Sequence, residues 1–198
     1  KSQYNRGVID YWVVKINANG DKQWEKTFGG DKVDNLQGMV SSSDGGFLLA
    51  GYSESKISGE KSQSHKGYYD YWVVKVNKDG TKLWDQSYEG EIPYNFGYSV
   101  TIAPTSDNGF LLGGSAYQLG QYGNGPNKYW YGRFNSNGTK QWDKVLNTDG
   151  KAGAEEITSI AVAPDGGFLL GGTSGSNASG DKSQDSRGYI DYWVVKVK

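Results

Sequence analysis

The feature that most constrains this 198-residue chain is repetition. The segment Asp10-Tyr11-Trp12-Val13-Val14-Lys15 returns at 70–75 and 191–196, with a degenerate copy, Lys128-Tyr129-Trp130-Tyr131-Gly132-Arg133, between them. From Tyr11 to Tyr71, Tyr129 and Tyr192 the steps are 60, 58 and 63 residues. A polar turn followed by Lys-x-Trp recurs at 17–24, 77–84 and 135–142. Asp44-Gly45-Gly46-Phe47-Leu48-Leu49 has counterparts at 107–112 and 165–170. A fixed period of this size in a fixed order makes each repeat one supersecondary unit that buries its apolar faces against its neighbours.

Each element reads as a short strand, since Tyr, Trp, Val and Phe suit a pleated, buried surface and the Asn-Gly, Asp-Gly and Gly-Gly pairs supply positive φ for tight turns. No stretch argues for a helix. Along 11–16 one face carries Tyr11, Val13 and Lys15 and the other Trp12, Val14 and Ile16, so both faces need cover. Small antiparallel sheets stacked radially supply it, which predicts an all-β fold: a β-propeller segment of four-stranded antiparallel blades. The strands of one unit are expected at 38–43, 47–53, 71–77 and 82–88.

The order apolar strand, Asp-Gly-Gly turn, Phe-Leu-Leu-Ala-Gly-Tyr, loop, Asp-Tyr-Trp-Val-Val-Lys, Asn-x-x-Gly, Lys-x-Trp, Phe-Gly-Gly covers essentially the whole chain and resembles kelch-like and related bacterial secreted propeller repeats of about sixty residues. The resemblance implies a propeller and export to the cell surface or beyond. Propellers host lectins, scaffolds, adhesins and enzymes alike, so it does not choose a function.

Four copies of the Tyr-Trp strand stand against three of every other element. The expected division is a partial blade at 1–30 (last two strands), blades at 31–90 and 91–146, and a partial blade at 147–198 (first three strands), about three blades in all. Residues 1–15 and 182–196 differ only at Tyr4/Asp185, Asn5/Ser186 and Val8/Tyr189, leaving one strand surplus if the two ends completed one blade. Three blades are too few for a ring. The favoured expectation is a window from a longer propeller completed by further blades; the alternative is self-association of copies.

Lys+Arg 21 against Asp+Glu 22 leaves no basic footprint for nucleic acid, and a mean hydropathy of -0.70 without a long apolar run gives no membrane span. With no cysteine there is no disulfide framework, thiolate metal site or Cys nucleophile. Residues 1–6 carry no apolar core, so any secretion signal is expected to have been removed or to lie outside this segment.

Candidate chemistry is sparse. His65 matches Asn5 and Ser186 in its repeat mates and is expected to be a loop residue without the partners of a catalytic triad. Glu155-Glu156 and Glu89/Glu91 are candidates for a glycosidase acid pair, with solvated surface charge the preferred account, so a polysaccharide-active hydrolase is only a remote alternative. The Asn17-x-Asn19-Gly20 type turns depart from both the Asp-box and calcium-loop spacings, and Asx closure explains them. No cofactor and no metal are called for.

Asp10, Asp70 and Asp191 precede the Tyr-Trp strand and are expected to cap backbone N–H groups, with calcium ligation a minor reading. Lys15, Lys75, Arg133 and Lys196 keep a cation at one inward position, which predicts a fixed ion pair or hydrogen bonds between blades. Trp12, Trp72, Trp130 and Trp193 in the third strand, with Trp24, Trp84 and Trp142 in the fourth, are expected to pack between blades.

Binding is expected in the loops joining the second and third strands, 54–69 and 174–190, which open with Ser-x-x-Ser-Gly-Glu/Asp-Lys-Ser. The middle counterpart, 117–127, has Tyr, Gln and Asn instead. Rings that stack on a sugar and amides that bond its hydroxyls make Tyr117, Gln118, Tyr122, Asn124, Tyr68, Tyr69 and Tyr189 the candidate ligand residues. The expectation is a non-enzymatic extracellular or surface module for binding or scaffolding, with glycan recognition through these loops as its sharpest form. The alternative is a structural or adhesin-like repeat that contacts a cell-surface protein, since such loops also make protein paratopes.

Overall fold

The computed structural model describes residues 4–64, 68–88, 94–118, 127–148 and 155–198, with side chains excepted at 94–98 and 117–118. Among the described residues there is no helix, and thirteen strands form four small, open antiparallel sheets. The chain divides into two compact units, Lys1–Glu89 and Gly90–Lys198.

In the first unit, β1 (Tyr11–Ile16) and β2 (Lys22–Phe28) form a two-stranded sheet. Beside it β3 (Asp34–Ser41), β4 (Phe47–Ser53), β5 (Asp70–Val76) and β6 (Lys82–Tyr88) form a four-stranded one. The second unit has a four-stranded sheet of β7 (Tyr94–Pro104), β8 (Phe110–Gln118), β9 (Asn127–Phe134) and β10 (Lys140–Leu146). Its other sheet has three strands, β11 (Glu156–Val162), β12 (Phe168–Ser174) and β13 (Asp191–Val197). Within each sheet, strands adjacent in sequence are paired, so the sheets are hairpins and meanders.

The first strand of the repeat differs from expectation: β3 begins at Asp34 rather than at residue 38, and ends at Ser41. Its register against β4 shifts between Leu36 and Gly38, a bulge at Gln37, and β11 shifts likewise between Ile157 and Ser159. The bulge breaks the two-residue alternation by which a strand is recognised, which hid the first turn of β3.

Turn chemistry accounts for the hairpins. Asn17 Oδ1 accepts from the N–H groups of Asn19 and Asp21, both at 2.9 Å, and Asn77 does the same for Asp79 and Thr81. In the β3–β4 turn, Asp44 Oδ1 accepts from Gly46 N at 2.9 Å and Gly45 takes φ 79°. The β7–β8 turn puts Asn108 there at φ 67°, a conformation Asn tolerates better than other side chains.

All seven residues of β5 are buried, as a strand covered on both faces must be. The first core joins Tyr11, Val13 and Phe28 of one sheet to Leu49, Trp72, Val74 and Val76 of the next. The second joins Tyr129, Tyr131 and Leu146 to Ile157, Leu170 and Trp193. The same contact therefore occurs once in each unit. Tyr11 lies against the Trp72 ring at 4.8 Å and donates its hydroxyl to the Trp72 carbonyl at 2.9 Å. Tyr129 lies 4.7 Å from Trp193 and donates to its carbonyl at 3.4 Å. Burial, ahead of nearby carboxylates, raises the pKa of both phenols, so both remain donors.

Candidate functional site

Two of the loops that carry sequence-predicted binding residues, those after β4 and β12, rest on buried polar clusters. At the first residue of β3, Asp34 is fully buried; Oδ1 accepts from the Ser53 hydroxyl, and Oδ2 from Gly30 N at 2.7 Å and the Ser55 hydroxyl at 2.8 Å. Just before β11, Glu155 does the same work: Oε1 accepts from Ser174 Oγ at 2.9 Å and Ser176 Oγ at 2.5 Å. Lys182, also buried, donates to Ser174 Oγ at 2.9 Å, Ser176 O at 2.5 Å and Ser186 Oγ at 2.9 Å. Its repeat mate Lys61 is buried too, and donates to Gln63 O at 2.8 Å and to Ser87 Oγ. In the middle sheet the register places Phe96 opposite Ala116 where the acid and serine stand in the others.

Glu155 departs from the expected solvated surface charge, whereas Glu156 fits it. Adjacent residues at a strand start point to opposite faces, so Glu155 is buried among serines while Glu156 is exposed. The other carboxylate pair, Glu89/Glu91, and His65 lie outside the described residues.

The Ser-x-x-Ser-Gly-Glu/Asp-Lys motif is a strap that fastens each loop to the linker before its own sheet. Glu60 N donates to Gly29 O at 2.9 Å, and Asp181 N to Asn147 O at 2.7 Å. Ser55 Oγ accepts from Lys32 N, and Ser58 Oγ from Asp31 N, each at 2.9 Å. Asp181 Oδ2 accepts from Asn147 N at 2.6 Å.

Where each strap loop re-enters the sheet, a ring stands in solvent. Tyr68 is 83% exposed and Tyr189 79%, and Val8 at the same repeat position is 69% exposed. The turn that presents Tyr189 is fixed, because Asp191 Oδ2 accepts from Arg187 N and from Gly188 N at 3.3 Å. Asp10 Oδ2 accepts from Arg6 N at 2.7 Å in the same way, and Asp70 is the buried counterpart. Tyr69 packs on Tyr52 at 5.6 Å, which makes it part of the support. Tyr117 and Gln118 end β8 with side chains outside the described set, and Tyr122 and Asn124 lie outside the described residues.

The cations sit differently from expectation. Lys75 pairs with Asp44 and Arg133 with Asp107, each at 2.8 Å, and Lys196 pairs with Asp165. These pairs tie the third strand to the turn between the first two strands of the same sheet. Only Lys15 reaches the next sheet, donating to Lys78 O at 3.1 Å beside Trp24 Nε1 at 3.2 Å. The Lys75 and Ser42 hydrogen bonds, foremost Lys75, hold Asp44 down at about 2. Thr105 and then Arg133 hold Asp107 at about 2.

Among the tryptophans, Trp72 and Trp130 donate Nε1 to Asp85 and Asp143 on the neighbouring strand, at 3.1 and 2.9 Å. Trp12 donates to Glu25 at 3.2 Å but is 48% exposed. Trp193 is buried on Tyr129, and Trp142 meets Tyr131 edge-on at 5.9 Å. Trp84 is half-buried opposite Lys75. Sequence reasoning missed Asp34, and it named Glu155 only as a candidate acid and Lys182 only as part of the loop motif, without their buried supporting role; the acid lies 19 residues before its serine in each unit, a signal readable only once the two are aligned.

Among the described residues no His, Asp or Glu side chains group as a metal site, and no helix is long and apolar enough to cross a membrane. No family model and no curated protein matches the chain. A solved structure of a protein of unknown function from Bacteroides caccae is similar at 12% identity with a TM-score of 0.44. That likeness covers 96% of this chain and 59% of the other, so this chain spans less than two thirds of that protein's length.

Proposed function

We propose that the chain is a run of kelch-like propeller blades of the bacterial secreted type, displayed outside the cell, and that it binds glycans without turning them over. The carrying observation is the pair Tyr68 and Tyr189: rings exposed at the same repeat position, standing where the strap loops, fastened by buried serines and lysines, enter the sheet. A pyranose presents an apolar face to such a ring. The burial of Glu155 away from Glu156 supports a non-enzymatic reading, since a glycosidase needs two carboxylates facing one bond.

Glycan-array binding of the 198-residue chain tests this. Reproducible, sugar-competable retention is expected, falling more than tenfold in Tyr68→Ala and Tyr189→Ala. Melting temperature is expected to stay put, because substitutions at exposed positions shift stability by about 0.5 kcal/mol or less. A blank array from folded protein overturns the glycan reading and leaves protein contact as the role of the rings. Turnover of a polysaccharide would overturn the non-enzymatic part.

A further inference from the structure

Three Asn-Gly pairs lie among the described residues, Asn19-Gly20, Asn108-Gly109 and Asn137-Gly138, and all three asparagines are exposed. Such a pair loses ammonia without an enzyme. The glycine nitrogen attacks the asparagine Cγ and forms a cyclic imide as the Cγ–Nδ2 bond breaks, and the glycine N–H proton leaves with the ammonia. Water then opens the ring at either carbonyl to give aspartate or isoaspartate. Because the glycine nitrogen is the nucleophile, a backbone hydrogen bond that holds its N–H within the turn protects the pair.

Two pairs are held in this way. Gly20 N donates to Asn17 O and Gly138 N to Asn135 O, each at 3.0 Å. The same two asparagines clamp their turns with Oδ1, Asn17 accepting from Asn19 N and Asp21 N at 2.9 Å and Asn135 from Thr139 N at 2.8 Å. The third pair occupies the β7–β8 turn, whose closing bond runs from Asn108 N to Thr105 O at 3.1 Å and so falls one residue before the glycine N–H. Among the described residues Gly109 N reaches only Asp107 Oδ1, at 3.4 Å, where its repeat mates Gly46 and Gly167 stand 2.9 and 3.1 Å from Asp44 and Asp165. Asn108 is also the one described residue other than glycine with a positive φ, 67°, at a position that the neighbouring repeats fill with Gly45 and Gly166. A side chain held there carries a conformational cost that glycine does not.

We propose that Asn108 is a site of spontaneous covalent modification, converting to aspartate and isoaspartate faster than Asn19 or Asn137. Isoaspartate routes the main chain through its own Cβ and Cγ, which adds an atom to a turn that Thr105 N closes on Gly109 O at 3.0 Å. Either product places a second carboxylate beside Asp107, whose first partner across the sheet is Arg133. The modification is independent of glycan binding, which rests on other residues.

Ageing the folded 198-residue chain at mildly alkaline pH, with a parallel sample unfolded in urea, tests this by peptide mapping in a mass spectrometer. Fragment ions separate Asn108 from Asn124-Gly125, which lies outside the described residues. Dividing each folded-state rate by the rate of the same peptide in urea removes the contribution of local sequence. That ratio is expected to be several-fold higher at Asn108 than at Asn19 and Asn137, and enzymatic methylation of the isoaspartyl α-carboxylate should label the same peptide. Asn108→Gly, which installs the residue its repeat mates carry, should abolish the label while near-ultraviolet circular dichroism stays unchanged. A ratio at Asn19 or Asn137 that equals or exceeds the one at Asn108 overturns the proposal, as does an Asn108 that stays intact in the folded chain.

Discussion

Gly51 and Gly172 decide how closely neighbouring sheets approach. A Cβ on either would overlap a carbonyl oxygen across the bulge, that of Asn35 or Glu156, and would stand 2.7 or 2.6 Å from the Tyr11 or Tyr129 hydroxyl. The loss in Gly51→Ala is expected to be about 1–3 kcal/mol, the ordinary range for overpacking, while Gly171→Ala, which enters open space, should be neutral or slightly stabilising. Chemical denaturation of the two variants checks the contrast. Both glycines sit in the same Leu-Leu-x-Gly phrase, so composition could not tell which one is crowded; the difference comes from the bulge opposite. Acid titration belongs to this scale too. Asp44 and Asp107, with pKa values depressed to about 2, stabilise the fold above the ordinary carboxylate range, and that stability is lost as pH falls through about 2. Asp44 is largely solvent-exposed, so screening keeps the effect small: Asp44→Asn should cost about 0.2–1 kcal/mol at neutral pH, and thermal melts of variant and wild type should converge below pH 2.

At the scale of elements, the strands and their hairpins were legible because pleat alternation and turn residues are local properties. Two joints were not. The pairing of Lys75 with Asp44 links residues 31 apart in sequence, and the repeat alone could not say whether the cation faced its own sheet or the next. The strap loops were visible as a recurring Ser-x-x-Ser-Gly phrase, and the expectation of binding in them missed that most of the phrase is spent holding the loop down. Lys182 is the test. Its ammonium sits among Ser174, Ser176 and Ser186, and Ser174 in turn donates to Glu155. Removing a charged donor from such a site typically costs about 1.5–3 kcal/mol. Lys182→Met should therefore lose about that much, and limited proteolysis should cut within 175–190 much sooner than in wild type. If cleavage there is unchanged, the lysine does not hold the strap. Of the candidate ring residues, the sequence could name Tyr68, Tyr69 and Tyr189 but could not separate them, since only packing shows Tyr69 leaning on Tyr52 while the other two stand free in solvent.

At the scale of the whole molecule, one inter-sheet contact is used once in each of two compact units, which makes stability a near-additive matter. Repetitive architectures approximate a sum of unit terms and nearest-neighbour interface terms. Tyr11→Phe removes a buried hydroxyl and its 2.9 Å hydrogen bond to the Trp72 carbonyl, for an expected loss of about 1 kcal/mol. Tyr129→Phe removes a 3.4 Å bond in the other unit and should cost visibly less, although its ring buries in the same way. The two tyrosines share no partner, so the double variant should equal the sum of the singles to within about 0.5 kcal/mol. Guanidinium unfolding followed by tryptophan fluorescence measures all three, because Trp72 and Trp193 report directly on the two contacts. A shortfall or excess well beyond that margin would mean that the two contacts are energetically coupled. Additivity would instead assign each Tyr-Trp contact to its own unit, so that joining one more sheet of this repeat adds one more such increment.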